Sequence, residues 1–267
     1  MADLSANLTP LVRIGFFARA VLYVLLGLIA LTGAQSVAAG TDGIFRTINE
    51  APLGKVVLGV LAVGLAAYGL FRLASLVFDI EHQGSDGKGW AKRIGHGASA
   101  AGHFLLAWTA VSFLRGGGNA GGDGTSAATA GVLSAEFGGV VIGLIGLAFC
   151  ASAIAQAAKG FSGSFIQRIA PDAPRATRAI GGAGYIARAV VFLVIGWSLI
   201  EAGFLSRGAG NVKTLGEAVA ALAETGWLFT LVAIGLVLFG LFSAVLARWR
   251  IIPKLATGGR APARPVG

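Results

Sequence analysis

Charge is scarce in this chain. Only 12% of its 267 residues are Asp, Glu, Lys or Arg, against roughly a quarter in an ordinary soluble domain. That is too little to cover a water-facing surface, which excludes a soluble globular class. Cysteine is nearly missing too. The single Cys150 rules out an intrachain disulfide, and a lone thiol inside an apolar run reads as a small hydrophobe. Acidic residues are almost absent from the apolar runs, which argues against a proton relay or a cation carrier, since both place acids within the membrane.

Several chemical motifs are missing a necessary part. DIEHQG (79–84) opens like a calcium loop, with oxygen-bearing residues at alternating positions, but Trp90 stands where the bidentate twelfth-position Glu belongs. The glycine-rich 116–124 lacks the GK[ST] that cradles phosphate and reads as a flexible loop. His96 and His103 share a helix face, yet seven residues separate them by about 10 Å, too far to chelate one ion. A haem would need an axial partner, and no second membrane helix offers His. No GxSxG elbow accompanies the many serines. The expectation is therefore a protein with no catalytic residues, no metal and no cofactor: not an enzyme.

Apolar length and glycine are what the chain has in abundance. Six stretches, about 14–34, 55–78, 96–114, 138–158, 183–203 and 227–248, are long enough to cross a hydrocarbon core of roughly 30 Å. The 42 glycines suit close helix packing in a membrane. A cleaved signal peptide is the competing reading of the first stretch. It fails because ARAVLYVLLG (18–27) returns as ARAVVFLVIG (187–196), deep in the chain. Of the 21 Lys and Arg, thirteen fall at the amino terminus, in loops 79–95 and 159–182 and in the carboxyl tail. Five fall in the alternate loops, and Arg19, Arg72 and Arg188 lie inside the stretches. The bias places both termini in the cytosol, and the net charge of +9 needs no nucleic-acid partner.

The repeat is threefold. Gly15, Arg19, Tyr23 and Gly27 align with Gly95, Ser99, His103 and Ala107, and with Gly184, Arg188, Phe192 and Gly196. A spacing of four keeps each set on one helix face. The small residues at its ends, Gly15, Gly27, Gly95, Ala107, Gly184 and Gly196, are expected to let other backbones approach. The even-numbered stretches repeat as GLAAYGLF (64–71), GLAFCASA (146–153) and GLVLFGLF (235–242). The fold class is thus an all-α membrane protein with six transmembrane helices in three parallel two-helix units. The units span 1–95, 96–182 and 183–250, and a basic tail (251–267) is expected to be disordered. A pseudo-threefold axis along the membrane normal and linear packing both remain open.

GTDGIFRTINEAPLGKVVLGVLAVGLAAYGLFRL (40–73), the linker FDIEHQGSDGKGWAKRIGHGAS (78–99), and NVKTLGEAVAAL (211–222) leading into ARWRIIP (247–253) resemble the bacterial membrane family called domain of unknown function 1206. The resemblance runs from Gly15 to about Pro253. It implies three two-helix repeats in a bacterial inner membrane and supplies no activity or catalytic residue. The middle unit departs from the regular pattern at Ser99 and in the glycine-rich loop 115–126.

Two outer segments, GIFRTINEAPLG (43–54) and TLGEAVAALAETG (214–226), carry apolar residues at helical spacing and read as interfacial helices that roof the bundle or gate it. Arg19 sits about 7.5 Å inside its stretch, Arg188 is similarly shallow and Arg72 is nearer 10 Å. With no carboxylate in the same membrane half, Arg19 and Arg188, joined by Arg72, are expected to hold the phosphate of an anionic phospholipid or ligand, or to snorkel. Two functions follow. One is a helical scaffold or accessory subunit whose partners are anionic phospholipid and an unidentified membrane protein. The alternative is a transporter or binding protein for a small anionic solute or lipid.

Overall fold

The computed structural model describes residues 4–33, 37, 39–117, 129–205 and 208–251. Most of the glycine-rich loop and nearly all of the expected disordered tail lie outside the described residues. The helices are α1 (Leu4–Thr32), α2 (Gly40–Glu50), α3 (Gly54–Phe78), α4 (Gly87–Leu114), α5 (Gly138–Ser162), α6 (Thr177–Phe204), α7 (Leu215–Ala220) and α8 (Trp227–Trp249). Six are long and apolar enough to cross a bilayer, with α1 spanning from Val12. This is a multi-pass, all-helical membrane protein. On α3 the exposed side chains Val56, Val60, Val63, Leu70, Leu73 and Val77 form a lipid-facing stripe at helical spacing.

Local chemistry sets the helix ends. Asp86 caps α4 by accepting from the Gly89 N–H at 2.9 Å, so α4 starts nine residues before the apolar stretch that announced it. Thr214 and Glu217 form a capping box that starts α7. Gly163, at φ +69°, closes α5 in the left-handed conformation. Arg93 donates to the Leu76 and Val77 carbonyls at 2.8 and 3.0 Å, satisfying the end of α3 and pinning α4 beside it.

Each unit leans on the one before it. The first helix of a unit packs along the second helix of the preceding unit: α4 on α3, α6 on α5, and α1 on α8. A ring contact marks each interface: His103 with Tyr68 (4.6 Å), Tyr23 with Phe239 (4.9 Å) and, one residue off the repeat register, Phe192 with Phe149 (5.2 Å). The row of helices bends, because Glu81 in the loop after α3 pairs with Arg168 in the linker after α5 at 2.6 Å. The spans contact one another in the order α4, α3, α1, α8, α6, α5, which makes the packing a bent row.

The curve stays open at one place. In the first unit Gly15 lies against Tyr68, and a Cβ there would come within 2.7 Å; Gly184 meets Phe239 in the same way at 2.6 Å. Ala18 fits Gly64, and Ala187 fits Gly235. The middle unit has no such closure: α4 and α5 make no substantial contact with each other among the described residues. Only 28% of the apolar window of each is buried, against 44–56% in the other four spans. Gly95, expected to be a packing glycine, accordingly faces open space. Its physical reason is that Gly146, which matches Gly64 and Gly235, packs on Gly196 and Ile200 of α6 instead. Gly27 abuts the backbone of Ala233 and Val237, Gly196 abuts Gly146 and Cys150, and Ala107 is buried in the core.

On the face opposite the chain ends, α2 buries Ile44, Phe45 and Ile48, and α7 buries Ala218 and Val219. Gly216 meets the backbone of Gly40. The two segments roof the bundle.

Adding bulk separates packed from open glycines. We expect Gly27→Leu or Gly196→Leu to cost roughly 1–3 kcal/mol through overpacking, read as a lower Tm in detergent. Gly95→Leu and the lipid-facing Val63→Leu should leave Tm nearly unchanged. Equal losses at Gly95 and Gly27 would remove this assignment.

Candidate functional site

The loop after α3 turns back on its own helix. Asp79 and His82 take left-handed φ values of 46° and 51°, and the Asp79 carboxylate accepts from the N–H groups of Gln83 (2.7 Å) and Gly84 (2.9 Å). The oxygens that gave DIEHQG its resemblance to a calcium loop are thus used in holding the loop backbone and in the Glu81 cluster. The turn carries Glu81 beneath the bundle, where its side chain is only 6% exposed.

Three guanidiniums converge on that carboxylate. Arg168 reaches Oε2 at 2.6 Å, Arg250 reaches Oε1 at 2.8 Å, and Arg72 lies at 3.5 Å from Oε1. Arg168 and Arg250 are held together by backbone: the Ala170 N–H donates to the Trp249 carbonyl and the Ile251 N–H to that of Arg168. One carboxylate thereby ties the ends of the second and third units to the first. Burial opposes ionisation of Glu81, but Arg72, then Arg250, His96 and Arg168, outweigh it and hold its pKa at about 2.

The network continues into the membrane. Arg72 donates to the Tyr68 hydroxyl oxygen from Nε (3.0 Å) and Nη2 (2.6 Å), and its Nη1 meets His96 Nδ1 at 2.9 Å. Guanidinium is only a donor, so Nδ1 accepts and the His96 proton sits on Nε2. Arg19 donates from Nη1 to the same Tyr68 oxygen (2.9 Å) and from Nε to Ser243 (3.1 Å). Its guanidinium lies 4.6–5.3 Å from the centres of the Phe16, Phe239 and Tyr68 rings, which adds cation–π attraction.

The structure corrects two expectations for the intramembrane arginines. Arg19 is 7% exposed and held internally, so it neither snorkels to the headgroups nor presents a free fork to phosphate. Arg72 does have a carboxylate, because Glu81 folds back from beyond the apolar stretch. Sequence reasoning passed over Tyr68 and Ser243 as partners. Tyr68 precedes Arg72 by four residues, one helix turn, and that spacing was a usable signal.

Arg188 differs from the other two. Its guanidinium lies over Phe192 (4.6 Å), Phe239 (4.7 Å) and Tyr23 (5.6 Å). Its Nε is buried without a hydrogen-bond partner.

A family model described as Domain of Unknown Function (DUF1206) matches residues 14–77, 94–163 and 183–250. The chain belongs to the DUF1206 family. The three matched segments coincide with the three helix pairs, and the linkers carrying Glu81 and Arg168 fall between them. Among curated proteins, the DUF1206 chain is 31% identical over 241 residues to an uncharacterized protein, YxxB, of Bacillus subtilis (strain 168), covering 86% of this chain and 87% of that one. No solved structure matches it.

Because the folded pKa of Glu81 lies below its ordinary 4.5, its stabilisation is complete above pH 4.5 and is lost as pH falls toward 2. We expect Glu81→Gln to lower stability at neutral pH by on the order of 3 kcal/mol. The gap from wild type should close on acidification through that window. A gap independent of pH, measured by thermal melts of the detergent-solubilised pair, would contradict the network.

Proposed function

We propose that this DUF1206 protein is a multi-pass scaffold of the bacterial inner membrane, with both termini cytosolic and its basic face bound to anionic phospholipid. The observation that carries this reading is a hollow of about 320 Å³ at the helix ends of that face, lined by Arg13, Arg248, Arg250 and Trp249 with Asp172. Arg13 and Arg248 are exposed there. Asp172 accepts from the Trp249 indole at 3.2 Å, while Arg250 is engaged by Glu81. Two exposed cations beside an interfacial Trp suit a phosphate headgroup, since Arg holds phosphate through parallel hydrogen bonds and Trp favours the headgroup level.

The surplus of Lys and Arg around the same face supports its cytosolic placement. A scaffold accounts for the rest of the build, with wide apolar flanks for lipid or partner helices and aromatic rings filling the centre. The reading assigns the chain no reaction.

Native mass spectrometry from nanodiscs tests it. Wild type should retain phosphatidylglycerol over phosphatidylcholine, and Arg13→Gln combined with Arg248→Gln should weaken that preference severalfold. With Cys150→Ser, a cysteine at Ser85 should be shielded from an external impermeant maleimide and one at Gly210 labelled. No headgroup preference, or the reverse labelling, defeats the proposal.

A further inference from the structure

The repeat places one polar position on each inter-unit interface twice over. On the first helix of a unit it is Arg19, Ser99 or Arg188; on the second helix it is Arg72, Ile154 or Ser243, eight residues beyond Gly64, Gly146 and Gly235. Because each first helix packs on the preceding unit's second helix, the interfaces pair Arg19 with Ser243, Ser99 with Arg72, and Arg188 with Ile154. The first two combine one cation with one small hydroxyl. Arg19 indeed donates to Ser243. At the third an aliphatic residue stands level with the cation, and Ile154, 71% exposed, turns away from the interface and supplies no hydroxyl. Among the described residues, Arg188 makes no hydrogen bond or ion pair and keeps only its three aromatic rings.

A buried amide lies nearby: Gln156 is 7% exposed, and because its partnerless Oε1 is an acceptor, only its NH2 group can serve a phosphate. The contacts of Gly160 with Gly182 and of Gly146 with Gly196 fix the antiparallel register of α5 and α6, and that register sets Gln156 about level with Arg188. Lys159, one turn further on, lies within range of the Arg188 charge. These groups flank the middle unit, whose helices stand apart where the other two units are closed. A guanidinium within the bilayer that has no counter-charge is costly unless an anion arrives from elsewhere.

We infer that the gap between α4 and α5 is a lateral portal through which one anionic phospholipid of the surrounding leaflet inserts, seating its phosphate on Arg188 beside Lys159 and Gln156. This deepens the lipid-binding reading above and rests on it, but it names a different place. Charge complementarity selects the occupant. The walls are apolar and small, with Gly95, Ala98 and Gly102 exposed on α4 and Ser152 and Ala155 on α5, so they admit acyl chain. The polar end offers a planar donor fork, an ammonium and an amide that can donate. A second transmembrane helix in the gap would cover Arg188 without neutralising it.

Photo-crosslinking locates the lipid. Protein in nanodiscs is irradiated with phosphatidylglycerol bearing a diazirine in one acyl chain, and adducts are mapped by peptide mass spectrometry. Adducts are expected on α4 and α5 around 95–107 and 148–156. Arg188→Gln should reduce them about tenfold, the effect of losing a charged hydrogen-bonded contact. Gly95→Trp, placed where a side chain has open space, should fill the portal and do the same without loss of folding. Arg13→Gln with Arg248→Gln should leave the seam adducts unchanged, which separates this site from the basic-face hollow. Equal labelling by the phosphatidylcholine analogue, or unchanged labelling in Arg188→Gln, overturns the proposal. Displacement by inorganic phosphate at equal concentration would also overturn it, since the ligand would then be free phosphate.

Discussion

Everything on the basic face depends on one carboxylate held where carboxylates are least welcome. Glu81 is nearly buried and is surrounded by Arg72, Arg168 and Arg250, each carried by a different part of the chain. Removing that carboxylate would strand the largely buried Arg72 and Arg250 in a medium that solvates them poorly. The cluster therefore acts as a clasp between the first unit, the linker after the second and the end of the third. Tyr68 extends the clasp inward by accepting from both Arg72 and Arg19, so the deepest cation is connected to the surface ion pairs through one phenol oxygen.

The same economy runs through the repeats. Arg19 donates to Ser243 across one inter-unit interface, and the repeat alignment sets Ser99 level with Arg72 at another, so the side that carries the cation switches between them. This gives Ser99 a physical meaning. It stands on the helix that packs beside Arg72, where a second arginine would add like charge in a low-dielectric interior. The third interface lacks the small hydroxyl and borders the open gap. Structural irregularity and unmet polar demand thus fall side by side, at the junction of the middle and third units.

Much of the fold was legible from residues alone. The six spans follow from apolar length, and the three units from the recurring Gly–Arg–aromatic–Gly face, because both depend on local periodicity. The helix start at Gly87 was not, since Asp86 caps a polar first turn that hydropathy ignores. The partners of the arginines were harder still. Glu81 lies nine residues beyond Arg72, and only the left-handed backbone at Asp79 and His82 returns it to the bundle. The openness at Gly95 was invisible because its sequence matches Gly15 and Gly184. What differs is the neighbour, as α5 has turned its small face to α6.

The central claim is that Tyr68 and Glu81, which do not touch, belong to one energetic unit through Arg72. A double-mutant cycle of Tyr68→Phe and Glu81→Gln, measured by reversible denaturation in mixed micelles, addresses it most directly. The account predicts a coupling energy on the order of 1 kcal/mol, with the double variant less impaired than the sum of the singles. Additivity within about 0.3 kcal/mol would mean two independent contacts and would contradict the clasp.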